Sequence, residues 1–129
     1  MPFNRLHIPQ GLPIETCQAI NACLHASLVA TCGVNPDDDF CLVSRYPRRD
    51  MICHPTFLGE RDPNSTIIIE ITLLAGRSDA QKESLYKDVR RRLSEIGFNP
   101  ANSIIFLTEN KPIDWSFSEA GSVKSALGL

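Results

Sequence analysis

The stretch Thr66–Lys82 reads TIIIEITLLAGRSDAQK, and it predicts a buried strand that turns directly into a helix. Its first part, Thr66–Leu74, is β-branched or apolar everywhere except Glu70, which is typical of a strand covered on its faces. Ser78 and Gln81 then have the spacing of a capping box, in which both side chains satisfy free N–H groups of the first helical turn. The stretch therefore predicts a strand, a tight turn and a helix.

The residues that follow complete a βαβ unit. Gly97 suits the left-handed turn that ends a helix, and Pro100 prevents the helix from resuming. The apolar segment Asn102–Thr108 then predicts a second strand. Because βαβ crossovers are right-handed, the two strands should be parallel with the helix on one face. The helix should face the sheet with an apolar stripe at helical spacing, formed by Leu85, Val89, Leu93 and Ile96.

The first half of the chain repeats this layout. GVNPDDDFCLVS, from Gly33, matches GFNPANSIIFLT, from Gly97, at the glycine, the asparagine, the proline and the apolar positions. Gly11 lies 22 residues before Gly33, and Gly76 lies 21 residues before Gly97. Such internal similarity indicates a duplicated structural unit. The first copy is predicted to contain a strand over Phe3–Ile8, a helix from Pro13 to Gly33 with Ile14, Cys17, Ile20, Leu24 and Leu28 as its stripe, and a strand over Phe40–Val43.

The predicted fold class is α+β, as a single domain over residues 1–129. Two βαβ repeats, about 2–44 and 66–109, form a four-stranded mixed sheet with two helices on one face. The loop Ser44–Ser65 joins the repeats, and residues 110–129 form a C-terminal hairpin or tail. The second sheet face would lie bare beside a very apolar strand, so we expect oligomerisation.

Composition restricts the partners and the compartment. The net charge of −2 gives no general attraction to nucleic acid or to an anionic membrane, and no apolar run approaches a membrane span of about 20 residues. The N-terminus lacks the apolar core of a signal peptide. The five cysteines form no C-x-x-C pair, which argues against a zinc site of that kind, and their odd number and wide spacing argue against a disulfide framework. We therefore expect a cytoplasmic protein with reduced thiols and no metal.

Two residues are candidates for chemistry. Removal of Met1 would leave Pro2 with a free secondary amine, and an α-amino group has an ordinary pKa near 8, close to working pH. Such an amine can take a proton from carbon beside a carbonyl and return it elsewhere. Arg77 stands where a strand turns into a helix, a place suited to binding a carboxylate. Taken singly, each also has a plain interpretation, as an incidental start and as a solvated loop arginine.

Taken together, these features resemble a known family. The stretch Gly76, Arg77, Ser78, Asp79, Gln81 and Lys82, with an N-terminal proline and late aromatics in ENKPIDWSF, is similar to 4-oxalocrotonate tautomerase. The doubled arrangement resembles the malonate semialdehyde decarboxylase branch of the tautomerase superfamily. The resemblance implies the tautomerase fold, shared with macrophage migration inhibitory factor, a homotrimer, no cofactor and a small carboxylate substrate.

The resemblance also implies roles for individual residues. Pro2 matches the catalytic amine, Arg77 the arginine that holds the substrate carboxylate, and Asp38 an aspartate near the proline or a water. Asp37 and Asp39 flank Asp38, so the register is open by one residue. Three aromatic residues match positions that contact substrate: Phe40, Trp115 and Phe117.

Three functions follow as expectations. The first is keto–enol tautomerisation of a small 2-oxo or 3-oxo acid with Pro2 as general base and acid. The second is decarboxylation or hydration with protonated Pro2 as the acid. The decarboxylases carry a further arginine two residues before the position of Arg77, where this chain has Ala75, and this difference weakens the second expectation. The third, from another class, is a small-ligand-binding module without catalysis.

Overall fold

The chain forms one mixed sheet covered by two helices. The computed structural model describes residues 1–129. The elements are β1 (Pro2–Pro9), α1 (Ile14–Cys32), β2 (Cys41–Tyr46), β3 (Ile67–Leu74), α2 (Asp79–Glu95), β4 (Ser103–Asn110) and a short α3 (Val123–Ala126). The strand order is β2-β1-β3-β4, with β1 and β2 parallel, β3 and β4 parallel, and β1 and β3 antiparallel. The predicted α+β class, with tandem βαβ units and a mixed sheet, is confirmed.

The core lies between the sheet and the two helices. Along β3 the buried side chains alternate with half-buried ones, because successive residues of a strand point to opposite faces. The side chains of β3 that face the helices are fully or almost fully buried: Ile67, Ile69, Ile71 and Leu73. They meet the helix stripes Cys17, Ile20, Leu24 and Leu28 on α1 and Leu85, Val89 and Leu93 on α2. Ile14 and Ile96, expected in those stripes, are instead about half exposed because they lie at helix ends.

The predicted helix signals are present. Ser78 Oγ accepts the Gln81 backbone N–H at 3.1 Å, and Gln81 Oε1 accepts the Ser78 N–H at 2.9 Å, which completes the capping box at the start of α2. Gly33 and Gly97 have φ angles of 66° and 83°, in the left-handed region that favours glycine. None of the helices combines the length and apolar character that a membrane crossing requires.

Strand β2 differs from the prediction. It runs over Cys41–Tyr46, so Phe40 lies before it and the joining loop is shorter than expected. The reason is its partner: β1 extends to Pro9, and the parallel register from Asn4–Cys41 to Pro9–Tyr46 continues as far as β1 does.

The sheet face opposite the helices carries a mixture of polar and apolar side chains. His7 contacts Tyr46 Oη through Nδ1 at 2.7 Å and Glu70 Oε1 through Nε2 at 3.0 Å. Leu42 and Phe106 lie on the outer strands and are about half exposed. This face is therefore only partly covered by the single chain.

Candidate active site

The antiparallel pairing of β1 and β3 brings the start of the chain to the loop that carries Arg77. Pro2, the first residue of β1, is buried and pairs with Leu73, near the end of β3. The loop between α1 and β2 reaches the same edge, because the backbone N–H of Asn4 donates to the Phe40 carbonyl at 2.9 Å. Residues distant in sequence therefore converge at one end of the sheet.

A cleft of about 550 Å³ opens at this edge. Its polar lining residues are Arg77, Asn35, Asp37 and Asp38. The remaining lining residues are mainly apolar or small: Met1, Gly33, Val34, Phe40, Phe117, Val123, Ala126 and Leu127. The cleft thus combines a few charged and polar groups with a mainly apolar wall, as is usual for sites that bind small molecules.

Asp38 is the member of the aspartate triplet that meets the chain terminus. Its Oδ2 lies 2.8 Å from the Met1 ammonium nitrogen, and both side chains are only 17% exposed. Its Oδ1 is buried and has no hydrogen-bond partner. Asp39 accepts a hydrogen bond from Asn21 Nδ2 instead. Removal of Met1 would shift the free amine by one residue, about 3.5 Å, along β1.

Arg77 is held by backbone carbonyls rather than by a carboxylate. Its Nη1 donates to the Leu74 carbonyl at 3.2 Å, and its Nε and Nη2 donate to the Cys32 carbonyl at 3.4 and 3.3 Å. A guanidinium has five N–H groups, so one on each terminal nitrogen has no acceptor in the chain. No carboxylate lies within ion-pair distance of Arg77. The side chain can therefore receive a carboxylate through two parallel hydrogen bonds.

The nearby carboxylate of Glu109 is paired with Lys82 and not with Arg77. Glu109 forms an ion pair with Lys82 at 2.6 Å, and the hydrogen bond from Lys82 lowers the pKa of Glu109, with a smaller contribution from Arg77. Glu109 is therefore ionised at neutral pH and already engaged. A substrate carboxylate would not compete with a protein carboxylate for the guanidinium.

The three predicted aromatic residues form one cluster, but only two of them line the cleft. Phe117 lies 5.1 Å from Phe40 and 5.6 Å from Trp115 between ring centroids. Phe40 and Phe117 line the cleft. Trp115 lies behind Phe117, where its Nε1 donates to Asn110 Oδ1. Within the single chain, Trp115 therefore supports Phe117 and does not face the Arg77 cleft.

Comparison with known proteins agrees with this architecture. Residues 38–118 match a family model described as tautomerase enzyme. The chain belongs to the tautomerase enzyme family. It is 30% identical to the probable tautomerase YusQ of Bacillus subtilis (strain 168) over 118 residues, which cover 91% of this chain and 93% of that protein.

Two solved structures are similar to this tautomerase-family chain over nearly its whole length. FG41 malonate semialdehyde decarboxylase inhibited by 3-bromopropiolate is 29% identical, with a TM-score of 0.87, and covers 98% of this chain and 95% of its own. A fused 4-OT symmetric trimer is 18% identical with a TM-score of 0.76, covering 96% and 98%, and shares the fold. The resemblance to the tautomerase superfamily noted from the sequence is confirmed.

The duplication also gives this tautomerase-family chain a second cleft at the opposite end of the sheet. That cleft includes Leu12, Ile67 and Asn102, which occupy the repeat positions of Arg77, Pro2 and Asp38. Ile67 is internal to the chain and has no free amine, and Leu12 has no charge. The two ends of the sheet have thus diverged, and only the Arg77 end brings a terminal amine and a guanidinium together.

The sequence reasoning missed the tail residues of the cleft. Val123, Ala126 and Leu127 follow one another at i, i+3 and i+4, a spacing that places side chains on one face of a helix. Val34, next to the predicted helix end at Gly33, is a further apolar lining residue. The tail spacing was available in the sequence, but four helical residues are too short for periodicity alone to indicate which surface they cover.

Proposed function

We propose that this protein is an enzyme that moves a proton on a small 2-oxo or 3-oxo acid, with the Pro2 amine as the proton-transferring group after Met1 is removed. The observation that carries the proposal is the meeting of the chain terminus, the Asp38 carboxylate and the unpaired Arg77 guanidinium in one cleft with an apolar wall.

Keto–enol tautomerisation is the reaction we favour. Arg77 binds the substrate carboxylate and draws electron density toward it, which stabilises the enolate that forms. The Pro2 amine removes a proton from carbon beside the carbonyl, and it then returns a proton to oxygen or to another carbon. Phe40 and Phe117 limit the access of water. The negative charge of the enolate is delocalised within the oxo acid itself, so this chemistry requires neither metal nor organic cofactor.

Decarboxylation or hydration of a 3-oxo acid is the second candidate, and the position of Asp38 favours it. In this candidate the Pro2 amine stays protonated and acts as the acid, and Asp38 lies at the chain terminus, 2.8 Å from the Met1 nitrogen. The partnerless Asp38 Oδ1 offers an acceptor for a water molecule. The 29% identical decarboxylase structure supports the same candidate, whereas Ala75 removes the second cation that such enzymes carry.

Three variants separate these possibilities. Pro2→Ala and Arg77→Ala should each lower kcat/KM at least 100-fold on phenylenolpyruvate if tautomerisation is the reaction, with the exposed Arg49→Ala as the matched control. Asp38→Asn should impair malonate semialdehyde turnover more than tautomerisation if decarboxylation is the reaction. Unchanged turnover of both substrates in Pro2→Ala and Arg77→Ala would refute both candidates, whereas a wild-type protein that turns over neither substrate would favour a binding module.

The pH dependence of kcat/KM also distinguishes the tautomerisation candidate from the decarboxylation candidate. A base mechanism gives activity that rises with pH as the amine loses its proton, whereas an acid mechanism gives activity that falls. The profile of the Met1-free protein between pH 5 and pH 10 therefore reports which protonation state of Pro2 is used.

We further propose that the protein assembles as a homotrimer through the sheet face opposite the helices. Leu42 and Phe106 are about half exposed there, and the fused 4-OT relative of the same fold is a trimer. Light scattering should give a mass three times that of the 14.3 kDa chain, and a monomer at micromolar concentration would contradict the proposal.

A further inference from the structure

The apolar wall of the Arg77 cleft comes largely from the C-terminal tail. Val123, Ala126 and Leu127 present one face of α3 and the residue after it to the cleft. Phe117, from the segment before α3, packs against Phe40 at 5.1 Å. The proposed machinery, in contrast, comes from β1, the α1–β2 loop and the β3–α2 loop. The tail can therefore determine what binds beside the charged groups without supplying any of them.

Local contacts hold the tail in place. Ser122 Oγ accepts the Ser125 N–H at 3.1 Å and caps α3. The Val123 N–H donates to the Trp115 carbonyl at 2.8 Å, and the Val123 side chain is buried. The Leu129 N–H donates to the Lys124 carbonyl at 2.9 Å. These bonds give the wall a defined position relative to Trp115 and Phe117.

Large apolar side chains are exposed at the mouth of this cleft. Leu127 is 62% exposed, and Phe40 and Phe117 are each nearly half exposed. A group of exposed apolar residues around a cleft is a common mark of a ligand contact surface. Because Arg77 and Asp38 also line the cleft, it suits a ligand with a charged end and an apolar end.

The size of the cleft also favours a ligand larger than a three-carbon acid. Its volume of about 550 Å³ lies within the range of roughly 300–1,000 Å³ that is usual for sites holding drug-sized ligands. A three-carbon acid would leave most of this space, and most of the apolar wall, in contact with water. Met1 is itself a lining residue, so its removal would enlarge the space further.

We propose that the substrate is an oxo acid with an aryl or extended alkyl substituent, and that Phe117, Val123 and Leu127 determine this specificity. The carboxylate lies on Arg77, the reacting carbon faces the Pro2 amine, and the substituent lies against the tail. This proposal rests on the proposed function, which places the substrate carboxylate on Arg77. It adds the chemical class of the rest of the substrate.

Hydrogen exchange measures this preference without knowledge of the natural substrate. In D₂O the Pro2 amine would remove a proton from C3 of a 2-oxo acid, and a deuteron from solvent would replace it, which proton NMR detects. The substrates are pyruvate, 2-oxobutanoate, 2-oxohexanoate and phenylpyruvate, each normalised to the exchange rate with free prolinamide. Burial of each added methylene should raise the normalised kcat/KM about fourfold. A flat or falling series would overturn the proposal.

Two tail variants test the wall itself. Leu127→Asp should lower the phenylpyruvate-to-pyruvate ratio of kcat/KM at least tenfold, because it places a charge on the apolar wall. Leu129→Asp adds the same charge two residues further on, at a position 66% exposed and outside the cleft, and should keep the ratio within twofold. Equal ratios in the two variants would contradict the assignment. Both residues are exposed, so neither change should unfold the chain.

Binding of unreactive acids separates this proposal from the proposed function. Calorimetry should show 3-phenylpropanoate binding at least tenfold more tightly than propanoate, and Leu127→Asp should remove that advantage. Exchange that depends on Pro2 but not on substrate size would refute only the substrate class. Tight, size-dependent binding with exchange that is unaffected by Pro2→Ala would support the apolar subsite and refute the proposed function.

Discussion

Replacement of Arg77 is the perturbation whose effect follows most directly from the geometry. Two of its N–H groups are free for a substrate carboxylate, since three others donate to the Cys32 and Leu74 carbonyls. A hydrogen bond to a charged group contributes about 1.5–3 kcal/mol, so loss of two such bonds removes at least about 3 kcal/mol. At 1.36 kcal/mol per factor of ten, kcat/KM for Arg77→Ala should fall at least about 100-fold.

The kcat/KM of Arg77→Lys should be lower than that of the wild type and higher than that of Arg77→Ala. A lysine keeps the positive charge but loses the planar fork, so we expect a loss of about tenfold. The separate changes in kcat and KM show which role the guanidinium has. A guanidinium that only holds the substrate changes KM, whereas one that also stabilises the enolate lowers kcat as well. Steady-state turnover of phenylenolpyruvate by the Met1-free protein provides both parameters.

Folding must be checked separately, because Arg77 also joins the ends of α1 and β3. Loss of its bonds to two carbonyls should cost about 1 kcal/mol, which corresponds to a fall in Tm of about 4 °C. A kcat/KM for Arg77→Ala within threefold of wild type, in a protein whose Tm shows that it is folded, would refute the role assigned to the guanidinium.

Three further predictions concern stability. Burial raises the pKa of Asp88, but hydrogen bonds from Arg92 and Arg91 outweigh it and bring the pKa to about 2. Asp88→Asn should therefore cost about 1–2 kcal/mol in urea unfolding at pH 7, allowing for partial exposure, and this difference should disappear as the pH falls from about 4 toward 2. Ser78→Ala removes the capping box and should cost about 1 kcal/mol at all pH values. Gly97→Ala, at a φ of 83°, should cost about 1 kcal/mol with unchanged turnover, because Gly97 lies away from the Arg77 cleft.

The sequence predicted the fold well because local and periodic signals agreed. The Ser78–Gln81 capping box, the left-handed glycines and the β3 pattern each specify structure within a few residues, and each is present. The duplication then limited the topology to two parallel pairs. Strand β2 was harder to delimit, since its length depends on the hydrogen bonds that β1 offers and not on its own residues.

The candidate site was less accessible to sequence reasoning. The resemblance indicated Pro2, Arg77 and Asp38, and the structure brings the chain terminus, Arg77 and Asp38 to one cleft. The position of Trp115 behind Phe117 depends on how the tail folds over the sheet edge, which no local pattern specifies. For the same reason, the contribution of Leu127 to the cleft emerged only from the tertiary arrangement.

If a free Pro2 amine transfers the proton, the enzyme should be active only after Met1 has been removed. Protein purified from cells with inhibited methionine aminopeptidase retains Met1, and treatment with that enzyme in vitro produces the trimmed form of the same chain. Intact mass identifies each form, and phenylenolpyruvate turnover is measured before and after trimming. We expect kcat/KM to rise at least 100-fold once Pro2 becomes the first residue. Equal turnover by the two forms would contradict it.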